Sequence, residues 1–361
     1  MRRLVPSLRA AAVVALAAGV GLALAASDAG FDPVVPGHAL EFPRDFGAHP
    51  GFRIEWWYVT GQLDAAGKPL GFQVTFFRVR NPPAESNPSR FSPRQILFAH
   101  AALSDPARGH LLHDQRTQRE FEGLVEARTG DTDVRLDDWT FVRENGAYHA
   151  RVEADGFALD LAFTPTQEVI LEGDRGFSRK GPLVAQASYY YSEPQLAVSG
   201  RVTEGGKARE VTGIAWLDHE WSSEPLAAEA AGWDWLGANL EGGGALMAFR
   251  MRSKDGGVLW SQATLREAGR APIAVEGDTV RFTPRRTWTS PRTGVAYPVG
   301  MTIAVGGRRW NVEPIMDDQE LDARASTGTL YWEGAARVVG EGAPGGRGYL
   351  ELTGYAGKKP Y

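Results

Sequence analysis

The chain of 361 residues contains no cysteine. Disulfide bonds, thiolate metal sites, cysteine nucleophiles and a lipoprotein anchor are therefore excluded, and stability has to come from a packed core. A basic charge is also absent, because the formal net charge is −5, which argues against nucleic acid as a partner. Long helical periodicity is scarce. Instead, 43 glycines, 22 prolines and 11 tryptophans accompany short apolar runs, and this favours β structure.

One uncharged apolar stretch lies at the N-terminus, over residues 10–26, behind three arginines. The small residues of the sequence Ala-Leu-Ala at 23–25 suit a signal peptidase, so we expect a secretory signal peptide over residues 1–26. The mature protein would then be periplasmic or secreted. A retained membrane anchor is the alternative, but the stretch is short and weakly hydrophobic for a membrane span.

Short β-prone segments separated by turns follow. Residues 55–63 and 70–80 flank a turn that contains glycine, and they predict a β-hairpin. A proline-rich loop over residues 81–95 leads to a further strand, residues 96–103, which carries His100. Later segments continue this spacing, which is typical of a meander or barrel rather than of alternating strands and helices.

The second half of the chain repeats the order of these elements. Residues 55–103 and 233–265 both present tryptophans, a glycine turn, a Phe-Arg-x-Arg motif and a final strand. Chance similarity of short strands is the alternative, but three matched elements in order favour an ancient duplication. We therefore predict an all-β fold of two related barrels, over residues 27–200 and 201–361.

Six segments carry a resemblance to a known family. They are EWWYVTGQL (55–63), FAHAALSD (98–105), AWLDHEW (215–221), GWDW (232–235), LYWEGA (330–335) and GRGYLELTGY (346–355). These segments resemble the AttH/CrtC family of lipocalin-like proteins, which includes carotenoid 1,2-hydratase (hydroxyneurosporene synthase) and a secreted AttH branch. The resemblance implies two tandem lipocalin-like β-barrels around an apolar site. It does not fix the reaction, because the family spans several activities.

Hydration of an alkene, as in the hydratase branch, needs a neutral carboxylic acid as proton donor and a dry pocket that tolerates a carbocation. On a strand, His219 and Trp221 share one face. If that face lines the pocket, His219 could activate water and Trp221 could stabilise the cation, as the resemblance implies. Asp234, between two tryptophans, is the candidate proton donor, and Glu55 is its counterpart in the first half.

The resulting candidate sites fall into two groups. The predicted catalytic residues are Asp218, His219, Trp221 and Asp234. The predicted ligand-binding residues are Glu55, Trp56, Trp57, Tyr58, His100, Glu220, Trp233, Trp235, Tyr331 and Trp332. The alternative for Asp218, His219 and Glu220 is structural, because buried polar residues at a barrel interface also satisfy backbone groups.

No cofactor and no metal site are predicted. A second histidine at ligand spacing from His219 is not visible, and the consecutive strand residues Asp218, His219 and Glu220 cannot all face one ion. The expected partner is a hydrophobic small molecule. Two functions follow: an exported hydro-lyase acting on an isoprenoid-like molecule, or a periplasmic carrier or chaperone of such a ligand that associates with the membrane or an ABC transporter. The pattern predicts no particular oligomeric state.

Overall fold

The structure is a computed structural model that describes residues 30–89 and 91–357. The predicted signal peptide, residues 1–26, lies outside the described residues. None of the described helices is long and apolar enough to cross a membrane. The described chain consists largely of antiparallel strands in two sheets, which confirms the predicted all-β class.

The first sheet contains 13 strands. They are β1 (Ile54–Ala65), β2 (Lys68–Arg80), β3 (Gln95–Ser104), β4 (Leu112–Arg119), β5 (Val125–Ala127), β6 (Asp133–Leu136), β7 (Trp139–Glu144), β8 (Ala147–Ala154), β9 (Phe157–Thr164), β10 (Ile170–Leu171), β11 (Phe177–Arg179), β12 (Ala187–Glu204) and β13 (Lys207–Ser222). Their order is β4-β3-β2-β1-β13-β12-β9-β8-β7-β6-β5, and β10 and β11 pair with β12. A 3₁₀ turn, Arg44–Phe46, precedes β1, and a helical turn, α1 (Pro82–Glu85), follows β2.

The second sheet contains 10 strands. They are β14 (Ala230–Leu240), β15 (Gly244–Ser253), β16 (Val258–Arg266), β17 (Ile273–Glu276), β18 (Val280–Thr289), β19 (Ala296–Val305), β20 (Arg308–Pro314), β21 (Glu320–Ala323), β22 (Thr329–Glu341) and β23 (Gly346–Leu352). Their order is β17-β16-β15-β14-β23-β22-β20-β19-β18, and β21 pairs with β22. Two 3₁₀ turns, Glu241–Gly243 and Gly277–Thr279, connect strands of this sheet.

Each sheet curls around its own apolar core. Along β8, for example, Tyr148, Ala150 and Val152 are buried, and the residues between them are exposed. Trp139 is enclosed in the first core and Trp310 in the second. The two curled sheets are the predicted tandem of lipocalin-like barrels.

The division between the barrels lies later than the sequence indicated. Residue 200, the predicted boundary, falls inside β12, which forms a long hairpin with β13. Because β13 returns to pair with β1, both strands of this hairpin belong to the first barrel. The two sheets divide between Ser222 and Ala230.

The strand orders of the two barrels correspond. The run β3-β2-β1-β13-β12-β9 in the first sheet matches β16-β15-β14-β23-β22-β20 in the second. The register agrees as well, since Glu55 lies opposite Arg78 in the first barrel and Asp234 lies opposite Arg250 in the second. This correspondence supports the duplication inferred from the sequence.

The outer faces of the two barrels pack against each other. Tyr58 and Trp216 of the first barrel and Trp235 of the second belong to one buried apolar cluster. The Gln62 side-chain amide also donates a hydrogen bond of 2.7 Å to the Ala336 carbonyl oxygen across this contact. The same contact leaves a cavity between the barrels.

Candidate active site

The cavity between the outer faces of the two barrels has a volume of about 360 Å³. This value falls at the low end of the roughly 300–1,000 Å³ typical of small-molecule sites. The apolar part of its wall is formed by Trp56, Phe77, Leu226, Trp233, Trp235, Phe249 and Met251. Carboxyl, hydroxyl and imidazole groups interrupt this wall, and they determine which chemistry the cavity supports.

Strand β13 presents alternate side chains to the cavity and to the first barrel. Asp218 and Glu220 line the cavity, whereas His219 and Trp221 lie on the opposite face. The orientation expected for His219 and Trp221 is therefore reversed. The cause is the register with β1: His219 pairs with Trp57, whose side chain belongs to the first barrel core.

His219 belongs to a buried group that we call the ion cluster, formed by Asp45, His49, Glu55, Arg78 and His219. The His219 Nε2–H donates to Glu55 Oε1 over 2.8 Å, and the Tyr191 hydroxyl lies 3.1 Å from Nδ1. Arg78 Nε donates to Glu55 Oε2 over 2.9 Å, and His49 Nδ1 donates to Oε1 over 2.7 Å. Burial lowers the pKa of His219 to about 4, so its ring is neutral near pH 7.

Opposite charges outweigh burial inside the ion cluster. Burial alone would favour a neutral Glu55, but His49 and Arg78 hold its pKa well below the usual range. Burial likewise favours a neutral His49, yet Glu55 and Asp45 raise the pKa of this ring. Cations therefore surround both carboxylates: His49 and Arg78 contact Glu55, and His49 and Arg44 contact Asp45. The His49 ring also stacks on Trp221, with ring centroids 3.8 Å apart.

Among the described residues, His49, Glu55 and His219 place their ligand atoms close enough to hold a metal ion, within 4.8 Å of one another. His49 is the second histidine that the sequence spacing did not reveal, because it precedes β1. Both rings lie at hydrogen-bond distance from Glu55 Oε1, and Arg78 donates to Oε2. Since both Glu55 oxygens already accept hydrogen bonds from His49, His219 and Arg78, the geometry fits a hydrogen-bonded ion cluster better than a metal centre.

Asp234, the predicted proton donor, faces away from the cavity. Its carboxylate is paired with Arg250 and, over 3.2 Å, with Arg252. The Tyr355 hydroxyl also donates to its Oδ1 over 2.9 Å. The neighbouring Trp233 and Trp235 do line the cavity, because alternate residues of a strand face opposite sides. Asp234 thus holds the second-barrel position that corresponds to Glu55.

Two carboxyls that the sequence did not single out face each other in the cavity. Glu333 of β22 lies directly opposite Glu351 of β23. The Tyr58 hydroxyl donates to Glu333 Oε2 over 2.9 Å, and the Trp233 indole donates to Glu351 Oε1 over 3.1 Å. Burial raises the pKa of Glu333 to about 8, and burial together with Glu333 raises that of Glu351 well above its usual range. Both residues lie in segments that carry the family resemblance, residues 330–335 and 346–355, but only the strand register shows that they are neighbours.

Asp218 is the third buried carboxyl on this wall, and we call Asp218, Glu333 and Glu351 the cavity acids. The Trp216 indole donates to Asp218 Oδ1 over 2.6 Å. Burial raises the pKa of Asp218 well above its usual range. Its neighbour Glu220 differs, because Lys180 Nζ lies 3.2 Å from Glu220 Oε1.

A neutral imidazole lies on another part of the wall. The Tyr331 hydroxyl is 2.5 Å from His100 Nδ1, and the Ser326 hydroxyl is 2.8 Å from Nε2. Burial lowers the pKa of His100 to about 3, so this ring stays neutral near pH 7. His100 and Tyr331 therefore offer hydrogen bonds to a ligand without adding a charge.

The predicted ligand-binding residues divide between the cavity and the barrel interiors. Those along the cavity are Trp56, Tyr58, His100, Glu220, Trp233, Trp235 and Tyr331. Those inside the barrels are Glu55, Trp57 and Trp332.

Two buried polar oxygen atoms of the cavity wall have no hydrogen-bond partner among the described residues. They are Glu333 Oε1 and Gln262 Oε1. Buried polar atoms are normally satisfied, so an unpaired one beside a cavity points to a bound molecule. A ligand hydroxyl group, which both donates and accepts, would satisfy either atom.

Fold and site together define the class: a tandem of lipocalin-like barrels with an acid-lined apolar cavity between them. The chain belongs to the AttH-like family, whose profile matches residues 33–355. This result confirms the resemblance found in the sequence.

Solved structures of similar proteins are consistent with this family and fold. A protein from Nitrosomonas europaea, provisionally described as AttH, is 56% identical with a TM-score of 0.85, over 90% of this chain and 100% of that one. Kievitone hydratase from Nectria haematococca is 15% identical with a TM-score of 0.67, over 90% and 98%. CghA in complex with Sch210972 is 14% identical with a TM-score of 0.51, over 83% and 88%. The last two likenesses are of fold alone. No curated protein matches the chain.

Proposed function

We propose that the protein binds a compact apolar molecule of the isoprenoid class in the cavity and hydrates one of its C=C bonds by acid catalysis. The observation that carries this proposal is the facing pair of buried carboxyls, Glu333 and Glu351, on an aromatic wall. Neither forms an ion pair with any described residue. A carboxylic acid that stays neutral near pH 7 is what protonation of an alkene requires.

Glu351 is the proton donor in this proposal. Its proton passes to one alkene carbon, so that a C–H bond forms while the π bond breaks. The positive charge left on the other carbon lies against the indole rings of Trp235 and Trp56, whose faces attract a cation. Water then adds to this carbon, and the proton that it releases returns to a carboxylate of the cavity. The overall change is alkene plus water to alcohol.

Kievitone hydratase supports this reaction class by analogy, since its name states a hydration on the same fold. The cavity volume favours a compact substrate, or one end of a longer chain, over an entire carotenoid. We also propose that the protein works outside the cytoplasm after loss of residues 1–26. N-terminal sequencing of the protein from the periplasmic fraction tests this location, and an intact N-terminus would contradict it.

A carrier function is the second candidate, because an aromatic cavity with unpaired polar atoms also suits retention of a ligand without turnover. The two candidates differ in one measurable product. Incubation with farnesol, geranylgeraniol or squalene in oxygen-18 water, followed by mass spectrometry, detects incorporation of labelled oxygen. Labelled alcohol supports hydration, whereas binding of these probes without label supports the carrier.

The variant Glu351→Gln tests the donor. General acid catalysis contributes about 100- to 10,000-fold, so label incorporation should fall by this factor while farnesol affinity stays within about twofold. Glu241→Gln, at an exposed glutamate outside the cavity, serves as the matched control and should keep full activity. Undiminished labelling by Glu351→Gln would rule out Glu351 as the donor.

A further inference from the structure

A serine connects Asp218 with a second buried acid that does not line the cavity. Ser192 Oγ lies 2.6 Å from Asp218 Oδ1 and 2.9 Å from Glu172 Oε1. Glu172 is fully buried between β10 and β11, and its other oxygen is bonded to the Thr264 hydroxyl of the second barrel. The three side chains therefore form a continuous chain from the cavity wall into the interior.

Few hydrogens are present to form the hydrogen bonds between Asp218, Ser192 and Glu172. A serine hydroxyl carries one hydrogen, so Ser192 can donate to only one of the two carboxyls. If both acids were ionised, one of the two short oxygen contacts would lack a hydrogen and would be repulsive. One carboxyl must therefore donate to Ser192. The Trp216 indole donates to the same Asp218 oxygen that contacts Ser192, whereas the Thr264 hydroxyl is bonded to the other oxygen of Glu172, so Glu172 Oε1 can carry the hydrogen that Ser192 accepts.

We propose that Asp218 and Glu172 share one proton across Ser192, and that Asp218, when this proton lies on Glu172, faces the cavity as the carboxylate that accepts a proton from the attacking water. The role in water activation rests on the proposed hydration, whereas the shared proton does not. In the complete reaction, Glu351 loses a proton to the alkene carbon and Asp218 gains one from the added water. Transfer of that proton from Asp218 to Glu351 through cavity water restores both groups.

The surroundings of the pair favour a single proton over none. The other titratable groups that face Asp218 and Glu172 are Tyr190, Glu220, Arg266 and Glu351. Burial raises the pKa of Glu172 to about 7 and that of Asp218 well above its usual range. Arg266 is the cation near Glu172, and its guanidinium donates instead to the Glu168 carbonyl and to Gln167.

The Trp216 indole gives a direct readout, because its N–H donates to Asp218. In ¹⁵N-labelled protein without ligand, this signal, assigned with Trp216→Phe, should move in two steps with pH: uptake of a second proton and loss of the shared one. Glu172→Gln and Ser192→Ala should each leave one step. Glu168→Gln, an exposed glutamate on the same segment, should leave both. An unchanged profile in Glu172→Gln would overturn the shared proton.

Labelling in oxygen-18 water separates the two proposals. Asp218→Asn should lower label incorporation about 100- to 10,000-fold and retain farnesol binding. Full labelling by Asp218→Asn beside inactive Glu351→Gln would overturn the base role while hydration stands. A wild-type protein that never incorporates label, but whose Trp216 profile loses a step in Glu172→Gln, would refute hydration and retain the shared proton.

Discussion

The ion cluster in the first barrel and the pair Glu333–Glu351 in the cavity both contain buried glutamates, but these glutamates reach opposite charge states. Glu55 in the ion cluster meets Arg78 and His49, and its pKa lies well below the usual range. Glu333 in the cavity meets Glu351, and its pKa rises to about 8. Both glutamates are buried, so burial does not account for the difference. The partner does: cations keep the buried Glu55 ionised, whereas Glu333 has no cation beside it among the described residues, and burial keeps it neutral.

The duplication allows a second comparison of a glutamate that has a cation beside it with one that has none in the described part of the chain. Trp56 pairs with Glu220 in the first barrel, and Trp235 pairs with Glu351 in the second, so the two glutamates hold corresponding positions. Glu220 therefore has a counterpart, which the sequence comparison did not find. Glu220 faces Lys180, whereas Glu351 faces Glu333. One of the two corresponding glutamates thus has a counter-ion, and the other lies opposite a second acid.

The largest loss of stability is expected from a substitution that disrupts the ion cluster. Glu55→Gln leaves Arg78 and the protonated His49 without their carboxylate, and removal of one partner of a buried ion pair lowers the free energy of unfolding by about 3–5 kcal/mol. Glu351→Gln replaces an acid that is already neutral, so we expect a loss of about 1 kcal/mol or less. Urea unfolding at pH 7 measures both. Equal losses would show that the two sites do not differ in charge state.

Sequence patterns predicted the fold class, the tandem and the duplication, because short apolar runs with glycine turns are local signals. They could not place the boundary between the barrels, because turn residues predict a hairpin such as β12–β13 but do not indicate which sheet the hairpin joins. The orientation of His219 and Trp221 was also out of reach. From Ala215 to Ser222 every residue of β13 is buried, so alternation of apolar and polar residues does not indicate which face lines the cavity. Glu333 and Glu351 are 18 residues apart and meet only through strand register.

An intermediate effect concerns the pH dependence of stability. The pKa of Glu333 rises from its ordinary 4.5 to about 8 in the folded protein, so the native state holds a proton that the unfolded chain releases. This contribution is complete below the unfolded value and disappears as pH rises through the folded one, at about 1.4 kcal/mol per pH unit for one proton. Urea unfolding between pH 6 and 8 should thus show wild-type stability falling more steeply than that of Glu333→Gln. Glu241→Gln should keep the wild-type slope, and identical slopes for Glu333→Gln would contradict a neutral Glu333.

The smallest loss of stability is expected from a substitution that leaves Glu220 without an ion pair among the described residues, as Glu351 is. Lys180→Met keeps the length of the side chain beside Trp56 but removes the cation. Because 16% of the Lys180 side chain is exposed, we expect the free energy of unfolding at pH 7 to fall by about 0.5–1 kcal/mol. Arg151→Met, at a surface pair whose side chains are 59% and 56% exposed, is the control and should change stability by less than the measurement error. A Lys180→Met loss as large as that of Glu55→Gln would mean that Glu220 depends on its cation as strictly as Glu55 does. The contrast between an ion-paired barrel interior and a proton-holding cavity would then be limited to Glu333 and Glu351.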